Sequence, residues 1–115
     1  MNSLNYILER QKTFEKMFFE SSNLTVSEKI QLTKEFVLCI HQELAELMNT
    51  LDWKTYHTYD KTYKIENTKE EIIDCFKFIL NIMIVWDIDE TELVSLFDKK
   101  SDIVENRMML KTVIK

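Results

Sequence analysis

The chain has 115 residues with no glycine and no proline, where a soluble domain of this length carries roughly 8 Gly and 6 Pro. Glycine-built phosphate loops are therefore excluded, and with them P-loop NTPases, Rossmann dinucleotide sites and kinase glycine loops. A net charge of −5 argues against non-specific duplex binding, because a nucleic-acid partner needs a basic footprint.

Taken in chain order, the apolar pattern predicts four helices. The first covers about Leu4 to Glu20, with Leu4, Ile7, Leu8, Phe14, Phe18 and Phe19 at three- and four-residue spacing. Ser21, Ser22 and Asn23 end it. Thr25-Val-Ser-Glu28 has the form of a capping box, and the second helix follows to about Leu51. Residues 52–66 form a polar, aromatic connector rich in Tyr and Lys. Thr68-Lys-Glu-Glu71 is a second capping-box candidate, opening a third and most apolar helix that reaches about Trp86. Asp87-Ile-Asp-Glu breaks the pattern. Asp89 or Thr91 can cap a fourth helix, from about Glu90 to at least Arg107.

These elements make an all-α bundle of four to five helices in one domain, 1–115. Several helices are apolar over a wide arc, so a second subunit is expected to complete the core. At 45% hydrophobic and 30% charged, with no apolar stretch near the ~20 residues a bilayer span needs, no membrane partner is expected. The start, MNSLNYILERQ, lacks the basic-then-apolar layout of a signal peptide, so the expected location is cytoplasmic. Cys39 and Cys75 lie within apolar helical patterns without CxxC spacing and read as reduced core thiols.

The unusual feature is where the acids fall. At 100° per residue, Glu43 is central in the apolar stripe of Phe36, Cys39, Ile40 and Leu47, with Glu46 at its border. On the third helix Glu71 is flanked by Cys75, Phe78 and Ile82, while Asp74 joins Lys77 and Asn81 in the one polar strip. Like charges one turn apart destabilise a helix, and burying an uncompensated carboxylate costs far more. A single ExxE is usually an edge pair matched to lysines on a neighbouring helix. Two acidic pairs on successive apolar faces point instead to a cation between them. The all-oxygen donor set favours a hard ion, with Mg²⁺ the best fit. A di-iron bundle would place His at the i+3 positions, and here these are Glu46 and Asp74. Zinc would want His or Cys; His41 projects away from Glu43, and His57 lies in the connector.

Glu43-Leu-Ala-Glu46-Leu-Met-Asn49, then Asp52-Trp53-Lys54, then Glu70-Glu71-Ile-Ile-Asp74-Cys-Phe-Lys-Phe-Ile-Leu-Asn81 resembles the all-α NTP pyrophosphatase superfamily. Dimeric dUTPases, phage dCTPase-dUTPases and MazG-like enzymes belong to it. The similarity covers about residues 4–107. It implies a Mg²⁺-dependent hydrolase that converts a nucleoside triphosphate, dUTP or dCTP foremost, into monophosphate and pyrophosphate. It also implies nucleotide-pool control in the cytoplasm of a bacterium or phage-infected cell, and a homodimer or homotetramer.

By position, the resemblance makes Glu43, Glu46, Glu71 and Asp74 the metal ligands, with Glu46 also orienting or deprotonating the attacking water. Gln11 matches a first-helix Gln near the nucleotide. Asn49 and Asn81 match polar positions facing the site, and Lys54 matches a lysine near the phosphates. Lys100 and Arg107 match a Lys-x6-Arg pattern that grips the triphosphate, and Lys77 adds further positive charge. Trp53 and the connector tyrosines suit either base stacking or hydrophobic cover. The chain departs from the family pattern at Val104, where Asn is usual, and at Lys77, where His is common. These departures leave two alternatives: a MazG-like house-cleaning enzyme of broad base specificity, and an inactive helical regulatory or interaction module.

Overall fold

The computed structural model describes residues 3–51 and 65–114. Within them lie four helices: α1 (Ser3–Glu15), α2 (Val26–Asn49), α3 (Ile65–Val85) and α4 (Glu90–Ile114), with a short 3-10 turn at Ser21–Asn23. No strand occurs among the described residues, so the expected all-α class stands. Trp53, Lys54, His57 and the connector tyrosines lie outside the described residues.

Helix α1 stops at Glu15, five residues before the predicted end at Glu20. The backbone tightens there. Met17 and Phe18 donate to carbonyls three residues back, at 3.3 and 2.8 Å, and Glu20 is extended at φ −124°, ψ 122°. Phe14 and Phe18 are consequently not core residues. Their rings meet at 5.6 Å, yet both are largely exposed. The face of α1 that is buried carries Leu8, Gln11 and Glu15.

Thr25 caps α2 as its sequence implies. Its hydroxyl accepts from the Glu28 N–H at 3.1 Å, and the Glu28 carboxylate accepts from the Thr25 N–H at 2.9 Å. Those bonds hold the Glu28 carboxyl below its usual range. The second predicted box is different. Helix α3 begins at Ile65, so Thr68 sits inside the first turn rather than before it. Its hydroxyl pairs with that of Thr50 at 3.0 Å, tying the start of α3 to the end of α2.

Helices α2 and α3 run antiparallel. Thr50 meets Thr68, Phe36 stacks near Phe78 with centroids 6.1 Å apart, and the Trp86 indole donates to Thr33 at 2.8 Å. Asp87 ends α3 with a positive φ of 55°, the left-handed region that Asp tolerates better than most residues. Its carboxylate accepts from the Ser21 hydroxyl and pairs with Lys29 at 2.9 Å. Both contacts lower its pKa, the Ser21 bond most. This one side chain thereby fixes the α1–α2 and α3–α4 connections together. Asp89, not Thr91, caps α4, accepting from the Glu92 N–H at 2.8 Å.

Among the described residues the buried apolar core is small: Leu8 from α1 with Leu80, Ile84 and Val85 from α3. No α2 residue is fully buried, and α4 leaves Val94, Phe97, Met108, Met109 and Leu110 exposed. The radius of gyration is 18.4 Å, against about 13 Å for a compact domain of this length. No described helix is long and apolar enough to cross a membrane.

Candidate functional site

The antiparallel α2–α3 pair sets the acids opposite one another. One carboxylate oxygen from each of Glu43, Glu46 and Glu71 lies within 4.8 Å of the others. Glu43 and Glu71 are half-buried, and Glu46 is exposed. Oε2 of Glu43 and Oε2 of Glu71 are buried without a hydrogen-bond donor. A carboxylate can only accept, so neighbouring acids give it no partner unless one of them carries a proton.

Glu43 feels this most. Burial, the adjoining Glu46 and Glu71 carboxylates and the Asp74 charge push its pKa up to about 7. The arrangement therefore needs positive charge, either as a shared proton or as a cation. Carboxylate oxygens alone suit a hard divalent ion, and the two buried acceptors without donors are the positions such an ion would fill. Cys75 lies close enough for its thiol to be pushed up by burial and by Glu43, Glu71 and Asp74. It stays a free thiol, as does Cys39.

Asp74 is not within the tight trio. It borders an adjoining open cavity of about 360 Å³, lined also by Gln11, Phe14, Glu15, Glu43, Lys77, Phe78 and Asn81. The structure thus brings five expected residues, Gln11, Glu43, Asp74, Lys77 and Asn81, to one depression. Asn49 is the last residue of α2, three residues after Glu46. Lys100 and Arg107 are exposed on α4, which packs on α1. No hydrogen bond or ion pair among the described residues joins either of them to the acids.

One residue that sequence reasoning missed is Glu15. It is 6% exposed, Gln11 8% and Asn81 3%. Gln11 Nε2 donates to Asn81 Oδ1 at 2.7 Å and toward Glu15 Oε1 at 3.4 Å. Burial pushes the Glu15 carboxyl up, while the neighbouring Asn81 and Gln11 amides and the Lys77 charge act in the opposite direction. The signal was present: Gln11 and Glu15 are one turn apart and align with Leu8 rather than with the phenylalanines.

Neither curated proteins nor solved structures give a match. A protein-family model described as dUTPase matches residues 3–115. That span takes in the acidic trio on α2–α3, the Gln11–Glu15–Asn81 network and α4, and on it the chain belongs to the dUTPase family.

Proposed function

We propose that this protein hydrolyses dUTP to dUMP and pyrophosphate with Mg²⁺ held by Glu43, Glu46, Glu71 and Asp74. The observation that carries the reading is the convergence of three carboxylates with two buried, donor-less oxygens in a chain matched throughout by the dUTPase model. In the reaction a water oxygen attacks the α-phosphorus, the Pα–O–Pβ bond breaks, and pyrophosphate leaves. Held by these four carboxylates, a divalent cation would neutralise charge at the phosphates and ease loss of the water proton.

The chain's own groups divide the remaining work. Glu46 is the member of the trio that solvent reaches, so its carboxylate orients the water and accepts its proton. Glu43 and Glu71 are set deeper and hold position. Lys77 lines the cavity beside Asp74, where its ammonium offsets phosphate charge. Lys54, Lys100 and Arg107 are assigned to the triphosphate, Asn49 to the site rim and Trp53 to the base, all by their match to the family pattern. The exposed apolar residues of α4 pack against a second copy of the chain, giving a homodimer or a homotetramer built from it.

Pyrophosphate release from each deoxynucleoside triphosphate, with Mg²⁺ and after chelation, tests this. Turnover of dUTP that depends on Mg²⁺ and leaves purine nucleotides intact is the expected result. Equal turnover of all bases overturns the dUTP assignment in favour of a broad house-cleaning activity. No turnover of any nucleotide overturns the hydrolase reading.

A further inference from the structure

Uracil and cytosine differ in hydrogen-bonding sense at two adjacent ring positions. Uracil presents N3–H as donor and O4 as acceptor; cytosine presents N3 as acceptor and the 4-amino group as donor. A protein amide can serve either base by rotating half a turn, because its oxygen and nitrogen are nearly the same size. A site that reads bases through amides is therefore selective only if those amides cannot turn over.

Two amides line the cavity beside the acidic trio: Gln11 and Asn81. Both are buried, and Gln11 is bonded to both Glu15 and Asn81. The ionised Glu15 carboxylate only accepts, so it requires the nitrogen side of the Gln11 amide to face it. The Gln11 nitrogen has two hydrogens, one directed to Asn81 Oδ1 at 2.7 Å and the other to Glu15 Oε1 at 3.4 Å. Turning over Gln11 would set its carbonyl against the Asn81 carbonyl and the Glu15 carboxylate together. Turning over Asn81 would set its nitrogen against the Gln11 nitrogen, donor facing donor, so the sense of Gln11 fixes that of Asn81. With the amides held in this sense, the Gln11 carbonyl is left as an acceptor and the Asn81 nitrogen as a donor.

We propose that Glu15 is a positioning residue for base selection, locking Gln11 and Asn81 in one amide orientation so that the pocket distinguishes uracil from cytosine. The inference rests on the dUTP reading proposed above, adds that the base edge meets Gln11 and Asn81, and names the residue that would set its specificity. Glu15 is not assigned any contact with the reacting phosphate. Its helix, α1, supplies none of the acidic trio.

Binding and turnover separate the possibilities. Glu15→Gln keeps the side-chain length but replaces an obligate acceptor with a group that can donate. Glu15→Asp keeps the acceptor and shortens the reach. Helix content by circular dichroism and the melting temperature establish that each variant is folded. Affinities for non-hydrolysable α,β-imido-dUTP and α,β-imido-dCTP are then measured by calorimetry with Mg²⁺, and kcat/KM for dUTP and dCTP in parallel.

The expected result is a preference ratio between the two bases that falls about tenfold or more in Glu15→Gln, since a site loses discrimination when its polar groups can re-pair. Glu15→Asp recovers part of it. A purely structural role would weaken both nucleotides alike and leave the ratio unchanged; that outcome overturns the proposal. Wild-type protein that binds neither pyrimidine analogue also overturns it. Wild-type protein that binds with a Glu15-dependent preference but releases no pyrophosphate supports the proposal while removing the hydrolase assignment, so the two failures are distinct.

Discussion

Glu43 carries an electrostatic cost in the folded chain. Its carboxyl is pushed from the ordinary 4.5 up to about 7, first by burial and then by Glu46, Glu71 and Asp74. The sign of the linkage follows. The folded-state pKa lies above the unfolded one, so the folded metal-free chain is favoured below about pH 4.5 and loses that advantage as pH rises to about 7. Melting curves in EDTA should show the midpoint falling between about pH 5 and about pH 8, with Glu43→Gln flattening the fall. Added Mg²⁺ should restore the wild-type midpoint at the alkaline end. An EDTA profile identical in wild type and Glu43→Gln would show that this carboxyl is not the strained group. The placement of Glu43 and Glu71 was legible in the sequence, because helical spacing alone sets them among apolar neighbours. Glu15 was not, because the aromatic run around it drew the apolar stripe of α1 to the wrong side.

Among the elements, what could be read depended on whether a signal was local. The Thr25–Glu28 box is complete within four residues, and both of its bonds form. Replacing Thr25 with Ala should destabilise the fold by about 1 kcal/mol, read as a shift in the denaturation midpoint with an unchanged slope. An unaltered midpoint would mean that α2 is held by packing alone. The similar string at Thr68 is not a cap because α3 starts three residues earlier, at Ile65, and the Thr68 hydroxyl turns to Thr50 instead. The end of α1 was also misplaced. The backbone tightens after Glu15, and the connection beyond it is tied by the Ser21–Asp87 and Lys29–Asp87 contacts, which join residues too far apart in sequence for periodicity to register. These contacts predict that Asp87→Ala destabilises the fold more than Lys29→Ala does. The aspartate serves both partners and also occupies a left-handed position that alanine tolerates poorly. Paired thermal melts give the order directly.

For the whole molecule, the surface is the main evidence. Among the described residues, twenty-five large hydrophobic side chains are exposed, far beyond the scattered apolar residues of an ordinary monomer surface. The wide apolar arcs seen in the sequence foreshadowed this, although nothing local in the chain says which helices a second copy covers. The emptiness of α4 on its outer sides makes it the first choice. Light scattering coupled to size exclusion should give at least twice the 13.9 kDa chain mass. Phe97→Glu, at a residue 67% exposed on α4, should shift it toward the single chain. A wild-type monomer at micromolar concentration would contradict the assembly. The lack of glycine and proline fits the same picture. Phosphate held by side chains and a cation needs straight helices that aim carboxylates, not a flexible backbone cradle.

The proposed function requires the α2–α3 carboxylates to hold the cation through which dUTP is cleaved. It is tested most directly by pyrophosphate release from dUTP in wild-type and Glu71→Gln proteins, each with Mg²⁺ and after chelation. Rapid release is expected only from wild type with Mg²⁺, with Glu71→Gln reduced at least about a hundredfold while remaining folded. Release that persists undiminished after chelation, or in folded Glu71→Gln, would contradict the account.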